Sequence, residues 1–244
     1  MRVFAFWLLA PSAALAVSPL TVDDADPVSL HRLQINAVPQ ARQAPNGRLY
    51  ALPFNPVYGV SARGELGATI GYLRFEPAPG KEVLEAGASD LVVSTKWLLF
   101  ESASGWKISA RLDVGVPVAS DRLGLGTGNP EVGGTVIVTR CWGGTCLDGN
   151  AAYLAVDVSR SVFSDDQWFL GEALRQELSG PWTFMAEVWA LIPNGDQAAP
   201  ANVHFDGGLQ WAVRENLLLS GLVGSAAGRG SPDWIGRFGV TWVF

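Results

Sequence analysis

The sequence predicts an all-β protein, a closed antiparallel up-and-down transmembrane β-barrel of about 12 strands. Three observations lead there: an export signal with no membrane-length apolar helix behind it, segments in which apolar and polar residues alternate, and connections that are short and long by turns.

Of 244 residues, 48% are hydrophobic and only 16% charged, with 28 Gly, 15 Pro and 10 Trp. This is too apolar for a disordered chain. A net charge of −6 without any basic run offers nothing to a phosphate backbone, so nucleic acid is not an expected partner. Two His and two Cys are few for a metal centre, and no glycine loop cradles a nucleotide, so no metal or cofactor is expected.

Met1-Arg2, the apolar run Val3 to Leu9, and Ala10-Pro11-Ser12-Ala13-Ala14-Leu15-Ala16 read as a signal peptide, residues 1–16, cleaved after Ala14-Leu15-Ala16. The run is short for a bilayer, and Pro11 interrupts it. Residues 17–29, acidic and Pro-containing, either plug a lumen or hang in the periplasm, and residues 30–244 form the barrel. No later segment supplies the ~20 apolar residues of a membrane helix. An exported, charge-poor chain is then a secreted β-sandwich or an outer-membrane barrel.

Periodicity favours the barrel. In the first strand, 30–38, Leu33, Ile35 and Ala37 alternate with Arg32, Gln34 and Asn36. Strands are expected next at 49–58 and 64–75, then at 88–100, where Leu91, Val93, Trp97 and Leu99 oppose Asp90, Ser94 and Lys96. In 105–117, Ile108, Ala110, Leu112, Val114 and Val116 alternate with Lys107, Ser109, Arg111, Asp113 and Gly115. In 130–140, Val132, Val136 and Val138 oppose Glu131 and Thr135. Segments at 150–160, 167–177, 182–192, 201–212, 217–225 and 233–244 complete an even set, as a barrel with both ends in the periplasm requires. The 167–177 segment strains the pattern, because Glu172 and Arg175 fall on opposite faces unless a bulge intervenes or Arg175 snorkels at the rim.

The connections alternate as well. Those at 59–63, 101–104, 141–149, 178–181 and 213–216 are expected in the periplasm and, 141–149 apart, are short. Those at 39–48, 76–87, 118–129, 161–166, 193–200 and 226–232 are rich in Pro, Gly, Asp and Asn and are expected outside. Trp106, Trp142, Trp182, Trp211 and Trp242 fall near the periplasmic ends and Trp168 and Trp234 near the opposite ends, where indoles suit the headgroup interface. Trp189 is the exception, mid-strand beside Glu187. The last strand sets Phe238, Val240, Trp242 and Phe244 against Arg237, Gly239 and Thr241 and closes the sheet against 30–38. Its terminal Phe244 resembles the sorting signal read by the barrel-assembly machinery. Cys141 and Cys146 flank Trp142-Gly143-Gly144-Thr145 in an oxidising compartment, and a disulfide pinning that turn is expected.

The chain resembles the outer-membrane transporter-like proteins named after the meta-pathway of phenol degradation. The resemblance is carried by Pro19-Leu20-Thr21-Val22-Asp23-Asp24-Ala25-Asp26, by Tyr58-Gly59-Val60 with Glu65-Leu66-Gly67, and by Gly87-Ala88-Ser89-Asp90-Leu91 with Lys96. Val116-Pro117 followed by Gly124-Leu125-Gly126, then Ala186-Glu187, and Asp206-Gly207-Gly208 through Gly221 and Gly236, extend it over most of the chain. Ser89 and Ser220 depart from a Gly and an Asp of that pattern. The resemblance implies a barrel linked to uptake of hydrophobic or aromatic compounds.

By strand parity Glu65, Asp90, Lys96, Lys107, Arg111, Asp113, Glu131, Asp157, Glu187, Asp206 and Arg237 point into the lumen, because an Arg or Lys facing lipid at mid-depth costs ~2 to 4 kcal/mol. They either select a solute along a polar pathway or fill a narrow barrel with salt bridges. The expected function is passive, porin-like transport of a small hydrophobic or aromatic solute by a monomeric barrel in the outer membrane of a Gram-negative bacterium, surrounded by outer-membrane lipid. No enzymatic activity is expected. The alternatives are an occluded barrel with a structural or surface-binding role, and a rim-active lipid enzyme using His204, since His31 and His204 are the only histidines.

Overall fold

The computed structural model describes residues 20–44, 47–77, 85–119, 125, 129–156, 167–193, 202–228 and 232–244. The signal segment 1–16 and Asp157 lie outside them.

The strands are β1 (Leu33–Ala37), β2 (Gln40–Ala44), β3 (Gly47–Ser61), β4 (Gly64–Pro77), β5 (Glu85–Ala88), β6 (Leu91–Glu101) and β7 (Trp106–Val116). They continue as β8 (Glu131–Trp142), β9 (Thr145–Val156), β10 (Gln167–Glu177), β11 (Trp182–Pro193), β12 (Asn202–Arg214), β13 (Leu217–Ala227) and β14 (Trp234–Val243). All pair antiparallel in one sheet that closes through β14, which meets β13 on one side and both β1 and β2 on the other.

Two staves of the barrel are each broken into two strands, so the 14 strands make 12 staves. β1 and β2 pair with successive stretches of β3 and β14 and are separated at Val38-Pro39. Proline has no N–H to give the ladder. Its carbonyl still accepts from Phe238 N at 2.9 Å, and Val38 N reaches the Pro53 carbonyl at 3.1 Å. β5 and β6 pair with successive stretches of β4 and part at Ser89-Asp90. There the Ser89 hydroxyl accepts the Gly71 N–H at 2.8 Å, so a side chain replaces a ladder carbonyl and the backbone bends.

The connections at one end, 62–63, 102–105, 143–144, 178–181 and 215–216, are tight, as periplasmic turns are. The turn expected at 141–149 is a correction. It is a two-residue hairpin at Gly143-Gly144, both left-handed at φ 52° and 79°, so β9 starts at Thr145 and not at residue 150. Asp148 reads as a turn residue but belongs to a strand whose inner face is polar. The Cys141–Cys146 disulfide joins directly opposed positions flanking this turn. The outer connection expected at 39–48 is likewise mostly strand, because Gln40 and Arg42 face inward beside Arg237 and Ile235.

Outward positions carry exposed Leu52, Phe54, Leu66, Val136, Phe205 and Val223. The outward indoles of Trp106, Trp142, Trp182, Trp211 and Trp242 ring the tight-turn end, with Trp168 and Trp234 at the other. Such a belt is what hydrocarbon flanked by two headgroup layers demands.

β10 spans the expected residues with no bulge in its pairing to β9 or β11. Arg175 is buried inside rather than snorkelling, and Glu172, at the middle of the strand, faces out between Gly149 and Val188. Among the described residues Glu172 makes no hydrogen bond or ion pair. Glu172→Leu is therefore expected to stabilise the folded barrel in lipid vesicles by roughly 1 kcal/mol, measured by urea titration.

Candidate functional site

Residues 20–30 occupy the lumen. At the tight-turn end Leu30 bridges Gly59 of β3, and His31, at φ 60°, donates its N–H to the Gly59 carbonyl at 2.9 Å. That left-handed residue reverses the chain from the lumen into β1. A Cβ on Gly59 would lie 2.1 Å from the Ser29 carbonyl oxygen, so only glycine lets the segment pass so close to the wall.

Above this turn the segment has few main-chain partners of its own, and wall side chains supply them. The Val28 N–H donates to Glu65, and the Ala25 N–H to Thr139 Oγ1 at 2.9 Å, while Ser109 donates to the Ala25 carbonyl. Asn150 both accepts from Asp23 N and donates to Asp23 O, at 2.8 Å each. Glu187 Oε2 accepts the N–H groups of Thr21 and Val22 at 2.7 and 3.0 Å. Val22 packs with Ala173 and Trp189, in space that Gly171 leaves open: a Cβ there would meet Val22 Cγ2 at 2.6 Å.

Charge fixes the register. Asp23 pairs with Lys96 at 3.3 Å and Arg111 at 3.2 Å, Asp24 with Arg175 at 3.4 Å, and Asp26 with Lys107. Lys96, 1% exposed, also lies 3.4 Å from Glu65 and donates to the Asp24 carbonyl. Arg175 holds Asp148 through two contacts, at 2.7 and 3.0 Å, and Arg111 holds Asp113 at 2.9 Å. Lys96, Lys107, Arg111 and Arg175 therefore each have a carboxylate of the segment and, for Lys96, Arg111 and Arg175, an inward-facing wall carboxylate as well. Burial pushes the Asp24 carboxyl up to about 7 against the pull of Arg175 and Lys96. Burial also raises Asp23, but Lys96 and Arg111 together hold it below the ordinary carboxylate range.

Of the residues expected in the lumen, Glu65, Lys96, Lys107, Arg111 and Glu187 touch this segment, and Asp113 backs Arg111. Asp206 and Arg237 form a second group with Glu187: Arg237 lies 2.6 Å from Glu187 and 3.4 Å from Asp206. Asp90 sits at the β5–β6 break and accepts the Ala119 N–H at 2.9 Å, and Glu131 stands at the start of β8 opposite Gly115. Sequence reasoning did not single out Asp23, Asp24, Asp26, Arg175, Asp148, Asn150, Thr139 or the contact role of Ser109. Three Asp within four residues, at 23, 24 and 26, were the available sign.

Neutralising Asp23, Asp24 and Asp26 together, each to Asn, leaves Lys96, Lys107, Arg111 and Arg175 against fewer acids. The reversal potential across a KCl gradient is expected to move toward anion selectivity, and an unchanged potential would contradict the ion-pair assignment.

Among solved structures the chain is similar to an outer membrane channel from Pseudomonas putida F1, at 12% identity and a TM-score of 0.74, covering 91% of this chain and 98% of that one. The NanC porin matches at 9% identity and a TM-score of 0.60 over 84% of this chain and 98% of its own. The KdgM porin matches at 11% and 0.56, over 86% and 99%. The fold is that of an outer-membrane barrel. These neighbours are channels and porins, not enzymes. No family model matches the chain, and no curated protein matches it.

Proposed function

We propose that the protein is a passive outer-membrane channel for a small hydrophobic or aromatic solute, held closed by residues 20–29. The observation that carries this reading is that the obstruction is a separate segment. It is tied to the wall by ion pairs and single hydrogen bonds, not woven into the sheet, so it can leave without breaking the barrel. The similarity to channel and porin barrels supports it, and the resemblance to the phenol meta-pathway family is what suggests the solute class.

The same plug supports a second reading, a permanently occluded barrel whose outer surface does the work. A lipid enzyme has less to stand on: His204 stacks face to face on Trp189, centroids 3.7 Å apart, with no serine hydroxyl bonded to it among the described residues. Planar-bilayer recordings separate the first two. The channel reading expects current steps from the intact chain that are modulated by benzyl alcohol and not by glycerol. Silence from protein that is inserted and heat-modifiable on SDS gels would instead select the occluded barrel.

A further inference from the structure

Above the plug lies a cavity of about 330 Å³ whose floor is Leu20 and Thr21 of the plug itself. Its wall mixes two chemistries. Val38, Pro53 and Ile235 give it an apolar side, and Trp189 an aromatic one. Arg42 and Arg237 give it a cationic side, with the His204 imidazole beside them.

The three basic groups are not equivalent. Arg237 is already satisfied by Glu187 and Asp206, which also accepts Trp189 Nε1 at 3.2 Å. The Arg42 side chain, by contrast, is exposed to the lumen and makes no hydrogen bond or ion pair among the described residues, and the charge that acts on it is that of Arg237. His204 is 5% exposed, yet its Nδ1 has no partner among the described residues. Glu187 and Asp206 are taken up by Arg237, so the second guanidinium facing the cavity, that of Arg42, is the one left to hold an anion from outside. The apolar and aromatic walls require that the anion carry an apolar body.

We infer that this cavity binds a small aromatic carboxylate, with Arg42 holding the carboxylate and the Val38, Pro53, Ile235 and Trp189 walls enclosing the ring. The inference rests on the channel reading and narrows its solute to an anionic aromatic. Because the plug is the cavity floor, the bound ligand touches Leu20 and Thr21 directly, and solute occupancy and plug position are coupled.

The test is titration calorimetry on the detergent-folded full chain with benzoate, benzyl alcohol and acetate, run beside bilayer recordings. Benzoate is expected to bind more tightly than either of the others. Arg42→Gln is expected to weaken benzoate by about tenfold to a hundredfold and to leave benzyl alcohol unchanged, with Arg42→Lys recovering part of the loss. Benzoate binding no tighter than benzyl alcohol in the unmodified protein, or insensitive to Arg42→Gln, overturns the inference. Current steps without benzoate binding would keep the channel and remove this site. Arg42-dependent binding without any current would keep the site and remove the channel.

Discussion

Deleting residues 20–28 is expected to turn a barrel that is closed most of the time into one that conducts steadily, with the open fraction approaching one. The hydrogen bonds and ion pairs that residues 20–28 make with the wall are to its side chains, so their removal takes away no strand pairing. The groups it leaves behind do not become buried orphans. Lys96, Arg111 and Arg175 keep Glu65, Asp113 and Asp148 beside them, and water enters the emptied lumen to solvate the rest. The barrel should therefore still resist SDS until heated, and that control separates an open pore from a misfolded one. A correctly folded deletion variant with the same current as the full chain would mean that the obstruction lies elsewhere.

The second large effect comes from one side chain. Lys96→Met is expected to favour release of the segment, because Asp23, Asp24 and Glu65 lose the ammonium among them at a depth where little water reaches. Removing one partner of a buried ion pair costs about 3 to 5 kcal/mol. At 1.4 kcal/mol per factor of ten, the ratio of open to closed channels rises about a hundredfold or more. Single-channel open probability measures it directly. Lys107→Met makes a useful comparison: Lys107 is partly exposed and pairs with Asp26, so its loss should change the open probability far less.

How much of this could be read in the sequence depends on the face concerned. The staves at 167–177 and 182–192 match β10 and β11 to within a residue, since an outer face pressed on lipid must be apolar at every second position. The same rule makes the inner face look like a loop. The connections expected at 39–48 and 141–149 take in Gln40, Arg42 and Asp148 because lumen residues and turn residues share a composition, and only the pairing with neighbouring strands tells them apart. Glu172 shows the opposite failure, a charge placed outward at mid-strand against the rule. For the plug, parity places Lys96 and Arg111 inside but does not say what they touch. Asp23, Asp24 and Asp26 carry no address for their partners in the sequence, so a plug and a free tail read alike there.

The distances in sequence between the plug and its partners bear on the order of assembly. Val22 meets Glu187 across 165 residues, Asp23 meets Asn150 across 127, and Ala25 meets Thr139 across 114. These contacts form only after the strands that carry Thr139, Asn150 and Glu187 are in place, later than those to Glu65 and Lys96 at separations of 37 and 72 residues, because long loops close late in folding. The plug's turn at His31 also adjoins β1, the strand that meets β14 at the closing seam. On the channel reading, a newly inserted barrel is open until residues 20–30 settle into place, and the speed of that settling sets how long it leaks.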